Sequence, residues 1–134
     1  FDTSATSILS YAATTTFNNF TISTGGKQAN FDDTDGVVTD IDGTLTLQGS
    51  DCTTGRIFLD PIAASENWDI AASGSTDIDY IDVEYSTASP ALTAENSTED
   101  NANNTGWTVN NGICGTKEAR IEGNVRTLNG VRIE

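Results

Sequence analysis

The chain has 134 residues, enough for one domain with a modest core, and carries 20 acidic against 6 basic residues, a formal net charge of -14 without histidine. That balance argues against nucleic acid and anionic lipid as partners, because both take clustered Lys and Arg. No apolar run approaches the roughly 20 residues that cross a bilayer, and the lack of histidine removes every nucleophilic triad built on a His base.

The chain opens on Phe1, which reads as a mature or excised chain, and methionine is absent throughout. Residues 1–16 form an N-terminal arm. Within it Ser7–Ala13 is the best helical candidate, opposed by Thr14-Thr15-Thr16, which favours extended structure. The body, 17–112, is written in period two. Phe17-Asn18-Asn19-Phe20-Thr21-Ile22 leads into Gly25-Gly26. Ile41, Gly43, Leu45 and Leu47 share one face of a strand, with Asp42, Thr44 and Thr46 on the other. Arg56–Pro61 is a short strand closed by proline. Ile81, Val83 and Tyr85 oppose Tyr80, Asp82 and Glu84, and Gly106–Asn110 forms a further strand. In the C-terminal segment 113–134, Ile121, Gly123 and Val125, then Val131 and Ile133, continue the alternation.

Strands recurring about every 10 residues between Gly-, Asn-, Asp- and Ser-rich turns predict an all-β domain over 1–134. A short β-solenoid, a barrel and a β-sandwich (jelly-roll or pilin-like) all fit that spacing. Weak internal similarity favours the solenoid: Trp68-Asp69-Ile70 matches Trp107-Thr108-Val109, and Arg120-Ile121-Glu122 returns as Arg132-Ile133-Glu134.

The order of these elements resembles a module of large bacterial surface proteins built as right-handed parallel β-helices. Phe17–Ile22 with Gly25-Gly26 is similar to its opening step, and Gly43–Ser50 to its Gly-Thr-Leu-Thr-Leu strand. Trp68–Ser86 resembles a central coil, and Asn103-Asn104-Thr105-Gly106-Trp107 its closing motif. The cysteine pair and the segment after Gly112 have no counterpart there. The resemblance implies a right-handed parallel β-helix with an adhesive role at the cell surface, and it brings no catalytic residues.

The carboxylates fall in clusters. Asp32, Asp33 and Asp35, beside Gly36, are the most loop-like and form the candidate calcium site, although a full EF-hand spacing is missing and Asx-type turns explain the same pattern. Paired acids also serve glycosidases, but the scattered basic residues are poorly suited to hold an anionic sugar, so no enzyme is expected. Trp68, Trp107, Tyr80, Tyr85 and Tyr11 offer ring faces for carbohydrate; partly buried strand aromatics read the same way. Asn19, Asn96 and Asn103 open N-glycosylation sequons. Cys52 and Cys114, in turn-like surroundings and without a CxxC or a histidine, read as a disulfide formed in an oxidising compartment.

The expectation is therefore a non-enzymatic extracellular structural or adhesive protein that binds copies of itself or neighbouring repeats of a longer surface protein. Strand edges at Phe17, Phe20 and Ile22 and at Ile121, Val125, Val131 and Ile133 carry the contact. The competing expectation is a monomeric carbohydrate-binding sandwich that uses calcium.

Overall fold

The computed structural model describes residues 7–99, 103–112 and 114. Its elements are the strands β1 (Ser7–Leu9), β2 (Thr15–Ile22), β3 (Lys27–Phe31), β4 (Val38–Gln48), β5 (Ile57–Pro61), β6 (Trp68–Ala72), β7 (Ser75–Asp79), β8 (Ile81–Val83), β9 (Ser86–Ala94), β10 (Thr98–Glu99) and β11 (Thr105–Val109). The candidate helix at Ser7–Ala13 does not form: Ser7–Leu9 are strand β1, beside β3 with Ile8 opposite Asn30, and residues 10–13 are a corner. A segment this short cannot support a helix alone, and here the edge of a sheet is available to it. Among the described residues no helix is long and apolar enough to cross a membrane.

Successive strands alternate between two sheets, except that β6 and β7 lie in the same one. One has the spatial order β1-β3-β5-β8-β10 and the other β11-β9-β6-β4-β2, with β7 also against β4. Every strand pair among the described residues is parallel. The fold is thus all-β with parallel sheets, and each strand is bonded to one that the chain reaches only after visiting the other sheet.

Like residues stack in this register. Ile22 lies opposite Leu47 and Leu47 opposite Ile78, while Ala29, Leu59 and Val83 form a second column. These side chains belong to one buried cluster that runs from Leu9 to Ala94, with Phe17, Trp107 and Val109 packed against it. Each apolar column removes side chains from water on both sides of a strand pair, which is the main favourable contribution to such a stack. The two Trp-centred segments are not equivalent positions in it. Trp68 is opposite Ser86, whereas Trp107 is opposite Leu92.

The second sheet bends across its middle. Its register shifts between Phe17 and Asn19, and β4 passes from β6 to β7 at Asp42-Gly43. Ser73-Gly74 separates β6 from β7 at the same level. A Cβ on Gly43 would strike the Asn18 carbonyl oxygen, and one on Gly74 the Gly43 carbonyl oxygen. Backbones of adjacent layers touch at this bend, so only glycine fits.

Other corners are turned by left-handed residues that are not glycine. Tyr80 has φ 53°, Tyr85 φ 50° and Asn96 φ 48°. Tyr80 follows Asp79, which bridges Glu95 just before Asn96, so Tyr80 and Asn96 turn the same corner in successive layers. Such conformations are strained for a tyrosine and persist because the strands on either side fix them.

Candidate functional site

The hydrogen bonds between layers have a fixed sense. Residues whose side chains point inward bond the following layer, and residues pointing outward bond the preceding one. Buried Ile57 N–H donates to the Tyr80 oxygen at 3.0 Å, Trp68 N–H to the Tyr85 oxygen at 3.0 Å, and Ser97 N–H to the Asn110 oxygen at 3.1 Å. In the other direction Ser73 N–H donates to the Ile41 oxygen at 3.0 Å, Glu95 N–H to Ile78 at 2.9 Å and Asn110 N–H to Ala94 at 2.9 Å. A strand turns alternate residues to opposite edges and opposite faces together, which is why the two senses never mix.

This sense identifies the groups at the ends of the sheet. Among the described residues β2 pairs only with β4, and β11 only with β9. In β2, Phe20 and Ile22 are buried and turn their backbone groups toward β4. Exposed Asn19 and Thr21 point outward, so their N–H and C=O groups line the opposite edge. At the other end Trp107 and Val109 of β11 are the inward residues, and their backbone groups face away from β9. Among the assembly residues named from sequence, then, Phe20 and Ile22 hold the core, Phe17 packs against it, and what β2 presents is backbone. Ile121, Val125, Val131 and Ile133 lie outside the described residues.

The candidate calcium ligands are not brought together. Asp32 is buried, and its Oδ2 accepts from Ser10 Oγ at 3.1 Å and Tyr11 N–H at 2.8 Å, while Oδ1 accepts from Thr34 N–H at 3.0 Å. Hydrogen bonding from the Thr34 hydroxyl leads these donors in holding the Asp32 carboxyl below the usual range, against the opposing effect of burial. Asp33 Oδ2 accepts the Ala63 N–H. The two acids thus tie three successive corners together. Asp35 is exposed in the turn closed by Val37 N–H to the Thr34 oxygen at 2.9 Å. Among the described residues no three His, Cys, Asp or Glu side chains converge as a metal site.

A third aspartate organises the loop after β4. Asp51 Oδ1 accepts from the N–H groups of Thr53 (2.8 Å), Thr54 (2.9 Å) and Gly55 (3.0 Å) and from the Thr53 hydroxyl (3.0 Å). These donors, the Thr53 N–H foremost, lower its carboxyl to about 2. Next to it Cys52 is disulfide-bonded to Cys114, with Cα atoms 5.4 Å apart. The bond fastens this loop to the corner after β11, where the Cys114 N–H also donates to the Asn111 oxygen at 2.9 Å.

Of the aromatic candidates, Trp68 has no exposed surface and lies flat on Phe31. Trp107 is half-buried, its indole N–H donating to Ser86 Oγ at 3.0 Å. Tyr11 sits edge-on to Phe17 at 6.1 Å. The sequon residues differ in setting. Asn19 is exposed, with Oδ1 accepting from Thr44 N–H at 2.8 Å. Asn96 is half-buried and donates to Asp79 Oδ1 at 3.0 Å, and Asn103 is exposed just before β11.

Tyr85, another of the aromatic candidates, lines a concave site. A cavity of about 370 Å³ opens on the outer face of the first sheet, between β3, β5, the 62–65 loop and the Glu84-Tyr85 corner. Its residues are distant in sequence and carry no shared motif; Asn30 opposite Asp60 meets only through strand pairing.

No protein-family model, curated protein or solved structure matches the chain.

Proposed function

We propose that this chain is a short right-handed parallel β-helix that serves as a non-enzymatic structural or adhesive component outside the cell. Copies of it, or neighbouring repeats of a longer surface protein, pair through the strand edges at its two ends. The observation that carries the reading is the one-way sense of the layer hydrogen bonds. Among the described residues, the outer edge of β2 and the outer edge of β11 are complementary, because each carries the backbone groups that a further layer of the stack would meet.

Several features support the finer fold. All the described strand pairs are parallel and join strands one circuit apart, whereas the sandwich alternative is built from antiparallel partners. Crossovers between parallel strands of one sheet are almost always right-handed, which favours that hand here. The disulfide suits an oxidising compartment.

Because the two ends differ, pairing between copies is head-to-tail and does not close, so its product is a filament. The strong negative charge keeps single chains apart until edges align, and salt should promote growth by screening it. Negative-stain electron microscopy of the purified chain tests this reading: unbranched fibres that lengthen with salt support it, and discrete particles at every concentration sink it.

A further inference from the structure

Among the described residues the last layer of the stack is unlike those before it. Trp107 and Val109 of β11 face inward, opposite buried Leu92 and Ala94, yet are only half-buried themselves. Their backbone groups face away from β9, so β11 offers a further strand both an apolar face and a row of donors and acceptors. The disulfide to Cys52 fixes Cys114 at the corner after β11, and residues 115–134, outside those described, follow in sequence from that point.

The composition of that segment sets it apart. It holds Lys117, Arg120, Arg126 and Arg132 against Glu118, Glu122 and Glu134. All the other acids precede it, balanced only by Lys27 and by Arg56, which is paired with Asp82 at 3.1 Å. A slightly basic segment is therefore tethered to the end of a strongly acidic stack. Its spacing fits as well. Asp79 lies opposite Glu95, and the same stride taken from Val109 reaches Val125, within the alternating run Ile121, Gly123, Val125. We propose that residues 115–134 dock on the outer edge of β11 of their own chain as one more layer, with Val125 opposite Val109, and so cap that end of the stack.

The cap rests on the assembly reading for its consequence, which is the regulation of that edge. The added layer and β2 of a second copy need the same backbone groups of β11, so one excludes the other. β2 and β11 carry no charged residue, whereas the added strand alternates Arg120, Glu122 and Arg126 with its apolar positions. Charged side chains along an outermost strand are the usual device against further pairing, so the cap closes the end rather than extending it. In the stated register Arg126 comes opposite Asn110, whose Nδ2 donates to Glu95 Oε1 at 2.9 Å. Salt weakens the attraction of a basic segment for this acidic stack, and so frees the edge as it lessens the repulsion between copies.

The test is backbone amide exchange followed by nuclear magnetic resonance on the intact chain, at low salt and diluted until it sediments as single particles. Its variants are Asn124→Pro, which removes a donor toward β11, and Arg126→Glu, which reverses a charge; neither alters the buried cluster. The Trp107 and Val109 amides should exchange at least about tenfold more slowly in the parent than in either variant, with the Thr108 amide, which faces β9, unchanged. Fibres at low salt should be more abundant from both variants. Equal exchange in all three chains overturns the proposal. So does protection that arises only once chains associate, which would assign the segment to another copy, or, where the parent forms fibres, variants that form no more of them. Slow exchange in the parent with fibres from none of the chains at any salt sinks the assembly reading and leaves the docking standing.

Discussion

Trp68 lies on Phe31 with ring centroids 4.1 Å apart and planes 8° from parallel, while its indole N–H donates to the Glu84 carbonyl oxygen at 2.8 Å. The pair joins β3 in one sheet to β6 in the other, and the hydrogen bond reaches the corner after β8. One side chain therefore couples both sheets and successive layers. Trp68→Ala removes the stack and the hydrogen bond to the Glu84 oxygen, and should cost about 3–5 kcal/mol in a urea unfolding experiment. Trp68→Phe retains the ring and should lose clearly less.

The bend of the second sheet gives a prediction of opposite kind, since it adds atoms. Gly43→Ala and Gly74→Ala each force a methyl against a carbonyl oxygen of the adjacent layer. Each should destabilise by about 1–3 kcal/mol. Gly36→Ala makes a useful comparison: nothing lies near its Cβ position, and only its φ of 79° opposes the change. Equal losses at all three sites would mean that backbone conformation, not contact between layers, explains the glycines.

Acid should weaken the loop after β4. The Asp51 carboxyl is held at about 2 in the folded chain against 3.8 ordinarily, so the unfolded state binds the proton more readily. The stabilisation is present above about pH 4 and is lost as pH falls toward 2. Asp32, also lowered, acts in the same direction. Melting temperature measured from pH 6 to pH 2 should fall through that window, and Asp51→Ala should show a shallower decline. An unchanged slope in Asp51→Ala would show that this carboxylate is not responsible.

The disulfide closes a separation of 62 residues, for which the chain-entropy model gives roughly 4 kcal/mol and engineered cases commonly less. The Cys52→Ser, Cys114→Ser double variant should therefore melt well below the parent, yet retain the far-ultraviolet signature of β-structure. Its core columns do not involve either cysteine. Loss of all β-signal at low temperature would mean that the stack depends on the bond for folding at all.

Much of the strand content was legible because inward and outward residues differ so plainly. Ile41, Leu45 and Leu47, and Ile81 with Val83, are buried as their alternation implies. Gly43 was readable as a member of that face but not as a bend, since its reason is a carbonyl in another layer. Asp82 is also buried, although it alternates with the apolar set, and pairs with Arg56 at 3.1 Å. β3 and much of β9 escaped the reading: Lys27–Phe31 is too polar to stand out, and β9 continues past Pro90 to Ala94. The left-handed turns at Tyr80 and Tyr85 have no local signal, because tyrosine is an unusual residue there. Of the cavity's residues only Tyr85 stood out in the sequence, because the site is assembled by register between distant strands.

Thr21→Pro tests assembly through the edge of β2. Thr21 is exposed, and its N–H belongs to the set facing away from β4, so proline removes one edge donor and leaves the pairing to β4 intact. Electron microscopy of parent and variant at equal concentration should show fibres from the parent and none from Thr21→Pro, with unfolding free energies within about 1 kcal/mol of each other. Fibres from the variant as abundant as those of the parent, or a parent that stays as single particles, would contradict assembly through this edge.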